Sequence, residues 1–371
     1  MRLRHLHLPS IHPLYIPYSL ASLVQQHARR QHLDYKDDPA TTSSGAGAPP
    51  PPTLISFTPH PIYTLGRRQT APLSPDETAR LTAPLHVQVQ VHSSGGGSSG
   101  GGGDYDEPPT MLRPGLAYSL RGGLTTYHGP GQVVLWPVLD LRSPAHRQLT
   151  VRCYSRLLED TTVAALRGVF GVRAFTTDDP GVWVRQGTRR AREDEDRGGN
   201  GDGEAAKIAA LGVHLRRHVS ALGTAVNLDF PRCDVADERW NPWARIVACG
   251  LEGKTVTSVA GLLPGGAREM GEKLAEWAVA RTIGSRAPLH DEGEARSVGT
   301  GAARMVAGAW AEELARRLGL EGVDAVGLDQ IMGLMDSLLA SAAAESGEGV
   351  EEGVKFLEGI RQVLRDQARC S

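Results

Sequence analysis

Several stretches of the chain alternate polar and apolar positions, and others repeat apolar residues at helical spacing. Val213, Leu215, Arg217 and Val219 alternate with His214, Arg216, His218 and Ser220, the period of a strand. Gly223 then predicts a turn into a second strand, Thr224 to Leu228. Val133 to Leu141 reads VVLWPVLDL, a mostly apolar strand in which Pro137 predicts an edge position or a bulge. TLISFTPHPIYTLGRRQ predicts a strand leading to a turn at Gly66, and GVRAF with GVWVRQG predicts a hairpin. Residues 1–33 predict a strand, MRLRHLHL, then a helix in which Leu20, Leu23 and Val24 recur and Ser19 caps the start. From Pro144 to about Gly168 the pattern is helical. Leu149, Cys153 and Leu157 fall four apart there, which predicts a packed thiol at Cys153. From about Gly265 onward, Ala, Glu, Leu and Arg recur at helical spacing and predict an α-helical C-terminal extension.

Three low-complexity segments, 36–52, 91–109 and 187–205, interrupt this pattern. They are rich in Gly, Ser, Pro or mixed charge, cannot pack a core, and predict surface insertions. The remainder of the 371 residues is enough for one large domain or two modest ones. A net charge of -2 argues against a general nucleic-acid binder, and no apolar run is long enough to insert in a membrane. Cys153, Cys233, Cys249 and Cys370 follow neither zinc nor disulfide spacing, which fits a reducing compartment. His5, His7 and His12 match no metal site. Arg2, Arg4, Arg29 and Arg30 precede or flank a start with no acid before Asp34. This suits a mitochondrial leader, and a plain first strand equally.

Three pieces carry chemistry: the stretch RGGLTTYHGPGQ from Arg121 to Gln132, Lys207 at the head of a strand, and Cys249 in a turn before Gly250. Each alone is ordinary. A Gly-rich loop is commonly a turn, a lone lysine a solvated charge, and a lone cysteine a small core residue. Together they suit acyl transfer. A thiolate is a strong nucleophile, a lysine can lower a thiol's pKa or shuttle its proton, and Gly-rich backbone can face an oxyanion.

RGGLTTYHGPGQ, KIAALGV, and ACG followed by TVTSV, with GRR at 66–68 and GVWV at 181–184, resemble in order the signature blocks of the octanoyl (lipoyl)-protein transferases, in their eukaryotic mitochondrial form. The resemblance covers most of residues 1–285 outside the three insertions and leaves 286–371 as the helical extension. It implies an α/β (α+β) fold of the biotin/lipoate protein ligase type, with a mixed sheet flanked by helices. It implies transfer of octanoyl from octanoyl-acyl carrier protein to a lysine of lipoyl domains, such as those of 2-oxoacid dehydrogenases and the glycine cleavage H protein. That transfer is the first step of lipoate biosynthesis, and the compartment implied is the mitochondrion. Cys249 matches the family nucleophile and Lys207 its acid/base partner. Arg121, Gly122, Gly123, Tyr127, His128 and Gly129 match the substrate-pocket loop, joined by Ala210, Leu211, Gly212, Leu222, Gly223 and Ala225 from the later blocks. No cofactor and no metal is implied, since the donor thioester is already activated.

Two positions depart from the family. Leu222 stands where it carries histidine, and Ala248 where it carries proline, whereas Asn227 matches its asparagine. An ATP-dependent lipoate–protein ligase shares the fold but needs no cysteine, and a non-catalytic protein retaining the fold would form no acyl-enzyme. Arg67, Arg68, Arg152 and Arg156 are candidates to meet an acidic carrier protein.

Overall fold

The apolar run that follows the glycine-rich stretch becomes β8 (Gln132–Val138), and every one of its residues is buried. Val133 and Leu135 join one hydrophobic cluster while Val134, Trp136 and Val138 join another. A strand shows no polar alternation when both of its faces are covered. The computed structural model describes residues 1–38, 48–87, 109–186, 204–230, 236–246, 255–284, 298–345 and 349–369. Residues 39–47, 88–108 and 187–203, most of the three low-complexity segments, lie outside them.

Strand β8 sits inside a mixed sheet whose other members are β1 (Leu3–His7), β2 (Thr53–Phe57), β9 (Val182–Gln186), β10 (Glu204–Arg216), β11 (Val219–Asn227), β12 (Thr255–Val256) and β13 (Val323–Ala325). The order among the described residues is β12-β10-β11-β8-β2-β1-β13, with β9 on the other side of β10. One face is covered by α3 (Val151–Phe170), α4 (Val259–Leu262), α5 (Gly266–Gly284) and α6 (Val298–Leu318). The other is covered by α1 (Tyr18–Asp37), α7 (Leu328–Glu345) and α8 (Val350–Arg369). The observed architecture is therefore the mixed sheet flanked by helices that the resemblance implied. The helical C-terminal segment contributes to both layers. Trp310 of α6 donates its indole N–H to Thr162 of α3 (3.0 Å), and β13 pairs in parallel with β1.

A smaller sheet carries the glycine-rich stretch. Its strands are β3 (Ile62–Leu65), β6 (Gly115–Tyr118) and β7 (Thr125–His128), in the order β6-β3-β7. Beside it lie α2 (Pro75–Thr82) and the hairpin of β4 (Leu85–Val87) and β5 (Thr110–Leu112). Tyr63, Leu81, Leu85, Tyr127, Phe230 and Trp243 fill the space beneath.

Four local readings of the sequence are corrected. Pro137 lies in a central strand, in register with Leu54 of β2. The irregularity falls on β11 instead: Leu222, across from Pro137 between the Thr224–Leu135 and Val219–Asp140 pairs, adopts a left-handed φ of 61°. The hairpin turn is not at Gly223 but at Arg217 and His218, whose φ values of 52° and 69° suit a tight turn between right-twisted strands. Ser19 does not cap α1, which starts at Tyr18 after Pro17 at the N-cap, without a side-chain cap. Cys153 is exposed, because α3 begins only at Val151 and its buried stripe runs through Tyr154, Leu157, Leu158, Thr161 and Thr162. Its thiol is pulled down from its ordinary value by Thr150 and then by Arg147 and Arg152.

The interior holds several neutral histidines. His5 Nε2 and His7 Nδ1 both lie 2.8 Å from Ser56 Oγ. Burial lowers His5 and His32 to about 4, and His7 and His128 to about 3. All four values fall below the ordinary 6.5. Between pH 6.5 and about 3 to 4 the unfolded chain therefore takes up protons that the fold refuses, and stability falls as pH falls. Asp229, raised by burial to about 6, and Glu159 and Glu312, also raised by burial, oppose this, while His27 and His214, lowered by burial, add to it. The urea midpoint is expected to drop steadily from pH 7 to pH 4.5; an unchanged midpoint would contradict the burial argument.

Candidate functional site

A third of the glycine-rich stretch is the strand β7 rather than loop. Residues Thr125 to His128 form β7, paired antiparallel with β3 so that Ile62 faces His128 and Tyr63 faces Tyr127. The glycine segments lie on either side. Gly131 has φ 89°, and a Cβ there would fall 2.0 Å from the carbonyl oxygen of Asp229, so no side chain fits. The carbonyl of Gly131 in turn accepts the N–H groups of Leu228 and Asp229. The end of β11 and the start of β8 are stitched together at this point. Gly122 alone of the early pair opens onto free space.

Arg121 holds the first segment in shape. Its guanidinium donates to the carbonyl oxygen of Thr64 (2.6 Å), to Thr64 Oγ1 and to the carbonyl of Gly122 (3.0 Å). The stem of Arg121 crosses Gly212, where a Cβ would meet Arg121 Cδ at 2.9 Å. The backbone N–H groups of Arg67 and Arg68 close the clasp on the carbonyls of Arg121 and Gly123. Tyr127 points away from this region. It is buried among Tyr63, Phe230 and Trp243, with ring centroids 5.4 to 6.1 Å apart. The side chain thus packs the smaller core, and it excludes a Cβ at Gly129, which would lie 2.0 Å from the Tyr127 hydroxyl.

His128, at the end of β7, begins a chain of side-chain hydrogen bonds. Its Nδ1 lies 3.3 Å from Gln132 Oε1, and Gln132 Nε2 donates to Asn227 Oδ1 at 2.8 Å. Asn227 Nδ2 donates to the carbonyl of Thr257 (2.9 Å) and approaches that of Lys207 (3.5 Å). Gln132 and Asn227 face each other across β8 and β11. They project to the face opposite Val133 and Val226, which belong to the α3 core.

Lys207 projects to the same face. Its neighbour Ile208 enters the α3 core, and its cross-strand partner Trp183 lies between Val182 and Val184, which do likewise. The ammonium sits 4.6 Å from the centre of the Trp183 ring and donates to the carbonyl of Pro180 at 3.0 Å. That turn is fixed from below. Glu159 of α3, itself buried, accepts the N–H of Gly181 at 3.0 Å. Burial raises its carboxyl above the usual range.

Lys207 is also paired on the second edge of its strand. There β12 runs parallel, with Val256 opposite Lys207 and Thr257 N–H on the Lys207 carbonyl at 3.0 Å. Strand β12 follows directly on residues 247–254. These include Ala248 and Cys249 and lie outside the described residues, as do Cys233 and Cys370. On the other side of that gap the chain is anchored by Arg245, which donates to the carbonyls of Glu238, Ala83 and Pro84.

The remaining predicted residues divide between the two faces. Ala225 and Leu222 pack against the α1 side of the sheet, together with Trp136. Ala210 pairs with Ala225 and Gly212 with Gly223, while Leu211 packs against the α3 core. Leu211 also lines a cleft of about 820 Å³, together with Arg147, Arg152, Arg156, Glu159 and Pro180. Sequence reasoning did not place Gln132, Trp183 or Glu159 in the site. A carboxylate within the apolar stripe of α3 was the available signal for Glu159. Among the described residues no group of three or more His, Cys, Asp or Glu converges as a metal site would require.

Glu159→Gln keeps an acceptor for Gly181 N–H and is expected to melt close to wild type. Glu159→Ala leaves that buried donor unmatched and is expected to lose about 1–3 kcal/mol in a denaturant titration. Equal stability of the two variants would show that the turn does not depend on this bond.

Residues 115–276 match the family model described as "Lipoyl protein ligase A/B catalytic domain". The mitochondrial octanoyl-[acyl-carrier-protein]:protein N-octanoyltransferase of Danio rerio is 33% identical over 251 residues, 68% of this chain and 80% of that protein. A probable octanoyltransferase of Schizosaccharomyces pombe is 28% identical over 244 residues, 66% of this chain and 80% of its own. Among solved structures, a putative lipoate protein ligase from T. acidophilum aligns over 92% of this chain and 95% of its own, at 14% identity and a TM-score of 0.43. The chain that carries this buried lysine and its hydrogen-bonded histidine belongs to the octanoyltransferase family, in its eukaryotic form, and is an acyltransferase.

Proposed function

We propose that the protein transfers an octanoyl group from octanoyl-acyl carrier protein to a lysine of lipoyl domains through an acyl-Cys249 thioester, with Lys207 moving the protons. The observation that carries this reading is the pairing of Val256 with Lys207. Thr255 and Val256, the first described residues after Cys249 in sequence, pair beside the buried lysine.

In the first half-reaction the Cys249 sulfur attacks the thioester carbonyl, and the C–S bond to the carrier breaks. Lys207, entering the step as its neutral amine, takes the proton of the Cys249 thiol and passes it to the departing carrier thiolate. In the second half-reaction the acceptor amine attacks the acyl-Cys249 carbonyl, the amide forms, and Cys249 leaves as thiolate. Lys207 takes the proton lost by the amine and returns it to Cys249. The energy for amide formation comes from the thioester. Residues 1–285 form the catalytic unit in this reading. The segment 286–371 braces it, with α6 on α3 and β13 on β1. The mitochondrion is the proposed compartment, on the name of the zebrafish relative.

The donor protein has a candidate approach. The cleft beside Pro180 is lined by Arg147, Arg152, Arg156, Arg316 and Arg317 against Glu159, Asp160 and Asp178. Arg156 and Arg317 face Asp160, and Arg316 and Arg317 face Glu313. Arg147 and Arg152 enter none of these pairs, and an acidic carrier would find them on its way to Lys207.

Incubation with octanoyl-carrier protein is expected to add one octanoyl mass to the wild type and none to Cys249→Ala. Lys207→Ala is expected to slow transfer to an apo lipoyl domain by about 10²–10⁴-fold. Labelling from free octanoate and ATP that survives Cys249→Ala would instead make the protein a ligase. A well-folded wild type without adduct or transfer would sink the enzymatic reading.

The double reversal Arg147→Glu with Arg152→Glu is expected to raise KM for octanoyl-carrier protein roughly tenfold and to weaken its salt dependence. A short octanoyl thioester donor should be used as before. Equal losses with both donors would remove the cleft from carrier recognition.

A further inference from the structure

The hydrogen-bond chain from His128 to Thr257 has a direction. Carbonyl oxygens of the backbone only accept, so the end of the Asn227 side chain that meets Thr257 and Lys207 must be its amide nitrogen. Its Oδ1 is then the end that meets Gln132, and an amide oxygen also only accepts. Gln132 must therefore present Nε2 to Asn227, which turns Gln132 Oε1 toward His128. A second accepting oxygen at 3.3 Å from Nδ1 requires the hydrogen of the imidazole to sit on Nδ1. Gln132 and Asn227 are 1% and 2% exposed, so water does not offer either amide a reversed arrangement.

We propose that Gln132 and Asn227 are positioning residues that lock His128 as its Nδ1–H tautomer, so that Nε2 offers the transfer site a hydrogen-bond acceptor. This rests on the reading of the site as an acyl-transfer centre. It also limits what the imidazole can do there. In this form Nε2 has no hydrogen to donate to the oxygen of a thioester, so polarising that carbonyl falls to backbone N–H groups. An acceptor at Nε2 suits the other substrate. It can take an N–H of the incoming lysine amine and turn the nitrogen lone pair toward the acyl carbon. Burial, and then the Arg121 guanidinium, lower His128 to about 3, which keeps the ring neutral while the amine reacts.

The test is a long-range ¹H–¹⁵N correlation spectrum of the full-length protein at pH 7.5, with His128 assigned by its loss in His128→Gln. The expected pattern is a pyrrole-like Nδ1 and a pyridine-like Nε2. Gln132→Met, which removes the amide but keeps the length, should let the ring shift toward the Nε2–H form. Gln132→Glu retains an acceptor and should keep Nδ1–H. Deacylation of isolated octanoyl-enzyme by a lipoyl domain should fall in Gln132→Met by up to about 10²-fold, a larger loss than that of Cys249 acylation. A wild-type ring protonated at Nε2, or a Gln132→Met spectrum like that of wild type, overturns the proposal. The wild-type spectrum decides the first point even if the variants unfold. It is also read without turnover, so an inactive protein with the stated tautomer would refute the transferase reading and leave the lock standing.

Discussion

A buried polar group must be matched, and this requirement is sharpest where the backbone of Thr257 and Lys207 meets the end of β11. Strand β10 is flanked on one edge by β9. On the other edge it meets β11 over Ala209 to Arg216 and then β12 over Ala206 and Lys207. Two strands that share one edge leave a break in the ladder where the first ends and the second begins. Asn227, the last residue of β11, occupies that break, and its amide reaches Thr257 and Lys207. The same side chain continues through Gln132 to His128. One amide therefore joins the central strand, the lysine strand and the strand that follows the Cys249 segment. The relative placement of His128 and Lys207 depends on it.

Lys207 raises a second demand. Burying an ammonium is costly unless something replaces its water. Here the ring of Trp183 and the carbonyl of Pro180 do so, and neither carries a full negative charge. Glu159 stands one peptide away and acts on the Gly181 N–H, so the turn whose carbonyl meets the ammonium is itself held by a buried carboxylate.

Elements whose signals are local were legible in the sequence: α1 and α3 from apolar spacing, β10 from its alternation, β8 from its apolar run. Features that depend on a distant partner were not. Pro137 suggests an edge by itself. It is tolerated centrally because Leu222 across from it leaves the regular conformation, at a cost of roughly 1–2 kcal/mol for a left-handed non-glycine residue. Gly223 resembles a turn but is kept small by the carbonyl of Leu135, 2.2 Å from where its Cβ would stand. Strand β13 is too short to announce itself, and it exists through its pairing with β1. Within the site, Lys207 and His128 were legible from motif blocks. Gln132 and Glu159 were not, since their roles come from contacts made by other elements.

Arg121 links these points. A cation in a glycine-rich stretch invites the reading of an anion cradle. Its donors, however, are turned onto Thr64 and Gly122, and its stem lies across Gly212. The charge remains and acts on its neighbour: after burial itself, Arg121 is the group that holds the His128 imidazole below its ordinary value. An acyl-transfer site of the kind proposed needs an imidazole that stays neutral and keeps one tautomer. Arg121 maintains the first condition through space, and Gln132 and Asn227 maintain the second through hydrogen bonds. The glycines around them let three strands approach closely enough for both to operate on one ring.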